Sequence, residues 1–167
     1  MKKMTEQNLR AAFAGESQAH MRYQIFADKA EEERKPNVAR LFRAISFAER
    51  VHDTNHFKTF GDLANTASNL QMAIDGETFE VDEMYPAYDA VATLQNEKGA
   101  ESSIRFALEA EKIHAAMYQT AKQAVAAGQD VDLGAVQICG VCGYSTEGNA
   151  PDTCPICGAP KGKFRSF

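Results

Sequence analysis

Residues 49–52 read Glu49-Arg50-Val51-His52, and residues 111–114 read Glu111-Lys112-Ile113-His114. Positions i and i+3 of an α-helix share a face, so each stretch presents one carboxylate and one imidazole toward the same point. Around both, apolar residues recur at spacings of three and four, which predicts helices rather than strands. Working outward, the spacing predicts four of them. Helix A runs from about Thr5, a candidate N-cap, to the charged run 31–35 before Pro36. Helix B runs from about Asn37 to Asn65, and helix C from Thr66 or Ser68 to a kinked end at Pro86, with 88–94 an open continuation. Helix D begins near Asn96 and fades at Gly128. Four helices of this length make a four-helix bundle.

The inward stripes carry residues that do not belong in a core. Helix A would turn Leu9, Phe13, Glu16, His20, Tyr23 and Ala27 inward, and helix B Val38, Leu41, Ile45, Glu49, His52 and Leu63. Helix C would bring Leu70, Ala73, Glu77, Glu80 and Met84, and helix D Ile104, Leu108, Glu111, Ala115 and Tyr118. An unpaired buried carboxylate costs several kcal/mol or neutralises. Four mid-helix glutamates, Glu16, Glu49, Glu77 and Glu111, therefore need cations, and inward Lys or Arg are too few to supply them. One Glu from each of two helices plus Glu-x-x-His from the other two is the ligand set of carboxylate-bridged di-iron or di-manganese bundles. Glu80 adds a fifth carboxylate one turn after Glu77. His20 and His56 are expected to support the site from behind or to lie part-exposed, and one of Tyr23, Tyr85 and Tyr118 to orient a ligand carboxylate.

The rest of the chain has another composition. All four cysteines, Cys139, Cys142, Cys154 and Cys157, fall in the C-terminal stretch 139–167, and none precedes it. They form two Cys-x-x-Cys-Gly knuckles joined by the short segment 143–153, a spacing that encloses one tetrahedral metal, zinc or iron. Residues 128–136 read as a linker, and the segment from Gln137 to Phe167 is too short for a core without such a staple. The expected domains are thus an all-α bundle over 1–134 and a small irregular or β metal-binding domain over 135–167. With 18 basic and 23 acidic residues the formal net charge is −5, which argues against nucleic acid as a partner. No apolar run reaches the roughly 18 to 20 residues of a membrane span, and no signal segment follows Lys2 and Lys3, so a cytoplasmic protein is expected.

Together the halves resemble the rubrerythrin family, over essentially the whole chain. The residues that carry the likeness are Glu16-Ser17-Gln18-Ala19 with Tyr23, Glu49 with His52, Glu77-Thr78-Phe79-Glu80 leading to Met84-Tyr85-Pro86, Glu111 with His114, and the run from Cys154 to Lys161. The resemblance implies a ferritin-like bundle with a rubredoxin-like tail, and a non-haem di-iron peroxidase that reduces hydrogen peroxide to water. It implies that Glu49 and Glu111 bridge two irons, that Glu16 and Glu77 are terminal ligands, and that His114 holds one iron. It also implies an iron shift between Glu80 and His52, and hydrogen bonds from Tyr23 and Tyr85 to ligand carboxylates. One iron on the four cysteines would relay electrons from a donor such as a rubredoxin or a reductase. Gln137, two residues before the first cysteine, departs from the aromatic residue frequent in such tails.

The stretch from Glu49 to Glu77 is short. In a ferritin-like bundle helices B and C run parallel, which requires a return of about 35 Å, while a handful of residues around Asn65 spans at most about 3.5 Å each. Either B and C are antiparallel in a monomer, or A and B of one chain pair with C and D of another. The second, a domain-swapped homodimer, is expected because it keeps the ferritin-like ligand geometry. Two other classes remain: a ferroxidase or storage protein, and a zinc-ribbon interaction protein with a structural metal bundle.

Overall fold

Gly61 ends the first pair of helices. The computed structural model describes residues 1–167, and in it α1 (Lys3–Glu32) and α2 (Pro36–Phe60) lie side by side. Gly61 follows α2 with φ 92°, a left-handed conformation that glycine adopts without a Cβ clash. Helix B was expected to run on to Asn65. Instead Asn65 starts the next helix, its side chain accepting a hydrogen bond from the Ser68 amide at 2.9 Å. At the other end α1 begins at Lys3 with no side-chain cap, so Thr5 lies inside its first turn rather than before it.

The seam between α1 and α2 is made of small residues. Ala27 and Ala39 are 0 % exposed, with Ala19, Ala30 and Ser46 also buried. The Ser46 hydroxyl donates to the His20 carbonyl at 2.9 Å and accepts from Gln24 Nε2 at 2.8 Å. At the far end Phe13, Phe57 and Phe60 cluster, with ring centroids 5.3–5.7 Å apart. Val38, Leu41, Ile45 and Leu63, expected inside, are exposed. Periodicity identified an apolar stripe, but α1 occupies the neighbouring alanine and serine face, and one partner helix cannot cover both. An Ala39→Leu replacement at this seam is expected to cost about 1–3 kcal/mol by overpacking, measurable as a lower urea midpoint of the full-length protein.

The chain divides into two compact units, Met1–Ala64 and Asn65–Phe167. In the second, α3 (Thr66–Phe79) passes through a five-residue π-turn, Glu80–Met84, into α4 (Tyr85–Leu94), and α5 (Lys98–Ala126) packs against both. Pro86 therefore does not end the helix. The Tyr85 amide reaches back five residues to the Glu80 carbonyl, and this wider turn makes room for a ring that would clash with the i−4 carbonyl of an α-helix. Three strands complete the unit: β1 (Val136–Cys139), β2 (Ser145–Glu147) and β3 (Phe164–Ser166), in the order β2-β1-β3, all antiparallel. The linker region 127–135 holds Gly134, whose amide donates to Glu147 Oε1 at 2.8 Å. The buried hydrophobic residues of the module are Cys139, Cys142, Cys154 and Ala159, with Phe106 of α5, Tyr144, Ile156 and Phe164 packed against them. No helix of the chain is long and apolar enough to cross a membrane.

Candidate metal centres

The two knuckles fold as similar turns. Gly143 and Gly158 have φ 79° and 76°, and their amides return to the carbonyls of Cys139 and Cys154, each at 2.9 Å. Each pair of sulfurs is thereby brought onto one side of its loop. Cys139 Sγ lies 3.7 Å from Cys157 Sγ, Cys142 Sγ lies 3.5 Å from Cys154 Sγ, and all four lie within 4.8 Å of one another. Such separations are far too long for disulfides. They match the edges of a tetrahedron with metal–sulfur bonds of about 2.3 Å, whose sulfurs stand about 3.8 Å apart. Burial pushes the Cys142 thiol well up. The same burial opposes ionisation of Cys154, yet the amides of Ile156 and Cys157 and the neighbouring thiols bring it down to about 7. Four thiolates this close need a cation among them.

In the first unit, Glu16 on α1 meets Glu49 and His52 on α2. His52 Nδ1 is 3.0 Å from Glu49 Oε2 and 3.9 Å from Glu16 Oε1. The Glu16 carboxyl is raised because it shares a hydrogen bond with Glu49 and is partly desolvated. In the second unit, Glu77 on α3 meets Glu111 and His114 on α5, with His114 Nδ1 2.5 Å from Glu111 Oε2. Burial first, then the hydrogen bond and charge of Glu111 and the charge of Glu80, raise Glu77 to about 7. Two donors of one ion with bonds of about 2.1 Å at a right angle stand about 3 Å apart, close to these spacings. Both triads fit a cation by donor type and by distance.

The π-turn belongs to the second triad. Glu80 is its first residue and Tyr85 follows its last. The wide turn slows the rotation of the helix, so Tyr85 stays nearer the face of Glu80 than an α turn would leave it. Burial raises Glu80, with the charge of Glu111 adding to it. Burial also raises Tyr85, with the carboxylates of Glu80, Glu111 and Glu77 adding to it. Tyr23 lies elsewhere, against the rings of Phe26 and Phe42 at 6.2 and 6.1 Å. His20 is tied to Ser46 at 2.9 Å. His56 stands near enough to Glu16 to act on it by charge. Ser145, whose Oγ is 2.7 Å from His114 Nε2, has no signal in the sequence that marks it.

Because the Glu16 and Glu77 carboxyls hold protons more tightly than free ones, a metal must displace those protons. Metal affinity at the Glu77 triad is therefore expected to rise with pH up to about 7, by about tenfold per pH unit for each proton displaced, and that at the Glu16 triad to rise with pH likewise. Zinc titrations of the full-length chain at a series of pH values would check this. An affinity independent of pH would contradict it.

Carboxylate-histidine triads on helices, joined to a four-cysteine module, define a ferritin-like non-haem iron oxidoreductase. The chain belongs to the rubrerythrin family: the rubrerythrin profile matches residues 7–122 and its rubredoxin-like domain profile residues 137–165. It is 44 % identical to Rubrerythrin-2 of Clostridium acetobutylicum, covering 98 % of this chain and 97 % of that one. It is 31 % identical to Nigerythrin of Nitratidesulfovibrio vulgaris over 98 % of this chain and 86 % of the other. The solved structure of nigerythrin in a partially reduced state superposes with a TM-score of 0.57 at 31 % identity, covering 98 % of this chain and 86 % of that one. The expected cofactors follow from the family and the donor sets: one iron on the four cysteines, and iron of the di-iron type on the glutamate and histidine groups.

Proposed function

We propose that this chain is a peroxidase that reduces hydrogen peroxide to water, taking electrons through its cysteine-bound iron. The observation that carries the reading is the presence, in one chain, of two Glu-Glu-His triads and a four-sulfur cage. Peroxide takes up two electrons and two protons, its O–O bond breaks, and two waters leave. When bound, the irons supply the electrons and the Lewis acidity. In this reading Glu49 and Glu111 bridge, Glu16 and Glu77 are terminal, and His114 is a fixed ligand. Glu80 and His52 are the exchangeable pair, one on a π-turn and the other with its side chain 54 % exposed. Tyr85 steadies the carboxylates it stands beside, while Tyr23, packed against Phe26 and Phe42, has that task only as the family resemblance implies it.

Each triad is half of a two-metal ligand set. In this proposal α1 and α2 of one copy join α3 to α5 of a second copy in a swapped homodimer. Exposed apolar residues on the α2 stripe, such as Leu41 and Ile45, support it. The four free thiols suit a reducing cytoplasm, and a rubredoxin or a reductase is the proposed donor.

The test is to reduce the iron-loaded protein without oxygen and mix it separately with hydrogen peroxide and with O2, following the iron absorbance. Faster oxidation by peroxide is expected. Faster oxidation by O2 would replace the peroxidase with a ferroxidase.

A further inference from the structure

His114 is held from both sides. Its Nδ1 lies 2.5 Å from Glu111 Oε2, and its Nε2 lies 2.7 Å from Ser145 Oγ. Ser145 is 2 % exposed and opens β2, three residues after Cys142. Its hydroxyl also lies 3.1 Å from the carbonyl of Gly143, to which it donates. A serine has one hydroxyl proton. When that proton goes to Gly143, the oxygen accepts from His114 and Nε2 carries the imidazole hydrogen. Nδ1 is then bare, and its lone pair faces the same point as the Glu111 carboxylate. Two acceptors this close repel each other unless a cation sits between them.

We infer that Ser145 is a positioning residue: its hydroxyl, anchored on the Gly143 carbonyl, fixes His114 in the Nε2–H tautomer and turns Nδ1 toward the metal. A neutral ligand imidazole needs this arrangement, since the nitrogen away from the metal must donate and an oxygen must receive it. His52 has no counterpart to Ser145 among its hydrogen bonds. The two Glu-x-x-His motifs are therefore unequal, one imidazole clamped and the other free to turn. The clamp comes from the cysteine module, because Gly143 is the turn residue of the first knuckle. His114 thus takes its orientation from the fold of the tail.

The inference rests on His114 being a ligand, and the experiment separates the two. The full-length chain is loaded with zinc, which is diamagnetic, and its histidines are observed by nitrogen NMR alongside zinc affinity. In the parent, His114 should show a metal-bound Nδ1 and an Nε2–H that exchanges slowly with solvent. Ser145→Ala should speed that exchange and weaken zinc binding by the triad about ten- to a hundredfold, and Ser145→Thr, which keeps the hydroxyl, should restore both. Thiolate-to-metal absorption of the cobalt-substituted cysteine site, read on parallel samples, shows whether the tail has folded. Unchanged exchange and affinity in Ser145→Ala, or equal losses in the alanine and threonine variants, would overturn the role of Ser145. If His114→Ala leaves zinc affinity at the triad unchanged, the ligand assignment itself falls. If His114→Ala weakens binding and Ser145→Ala does not, only the serine's role falls.

Discussion

Replacing Glu111 by alanine is expected to cut peroxide reduction about a thousandfold while leaving the metal-free chain at least as stable as the parent. The loss follows from removing the carboxylate proposed to bridge the metals, since a metal's stabilisation of developing charge is worth several kcal/mol and each 1.4 kcal/mol is about a tenfold change in rate. The stability follows from the opposite side of the same contact. Without metal, Glu77 is raised to about 7 by burial first and by Glu111 next. A carboxyl whose pKa is raised by folding favours the folded state below its unfolded pKa, and that advantage is lost as pH rises through the folded value. At pH 8 the parent therefore crowds three carboxylates, those of Glu77, Glu80 and Glu111, and the variant two. Melting of metal-free samples at pH 8, set beside peroxide turnover of iron-loaded ones, reads both effects. A variant that is both inactive and markedly less stable without metal would show that Glu111 serves the fold instead of the ion.

Replacing Cys142 by serine is expected to lower donor-driven turnover about a hundredfold, the upper end of what losing even an outer partner of a metal ligand costs. A chemically reduced bundle should still react with peroxide at near the parent rate. The two measurements part because the sulfur cage and the carboxylate triads are separate donor sets. Cys142 is buried and faces Cys154 at 3.5 Å, so a serine there leaves three thiolates and an open corner. Loss of both activities to the same degree would contradict an electron relay. Through Gly143 and Ser145 the variant should also loosen His114, so a modest fall in bundle metal affinity is expected alongside.

The metal chemistry was legible in the sequence because its signals are local. Glu-x-x-His puts two ligands one helical turn apart, and Cys-x-x-Cys-Gly encodes a knuckle within a single short turn. Both patterns reappear in the structure as clustered donor atoms. What escaped was set by contacts at a distance or by the third dimension of packing. Ser145 lies 31 residues from His114, with no periodicity linking them. The π-turn at Glu80 keeps the helical composition on both sides and changes only which carbonyl an amide reaches. Pro86 marked that place, but proline alone reads as a stop. Gly61 set the end of α2 through a backbone angle, while the apolar pattern ran past it to Leu63. On α2 the periodicity found an apolar stripe around Leu41 and Ile45, and could not say what covers it.

The buried apolar interior of the cysteine module is three cysteines and one alanine, so sulfur and a metal ion take the place that leucine or valine holds in other small domains. A domain built this way holds its shape only while its ion is present. The segment 137–167 would therefore register iron supply directly, ordered in a replete cell and open to proteases in a starved one. Scarcity would then undo the cysteine module first, while the helices that carry the carboxylates keep their own hydrogen bonds.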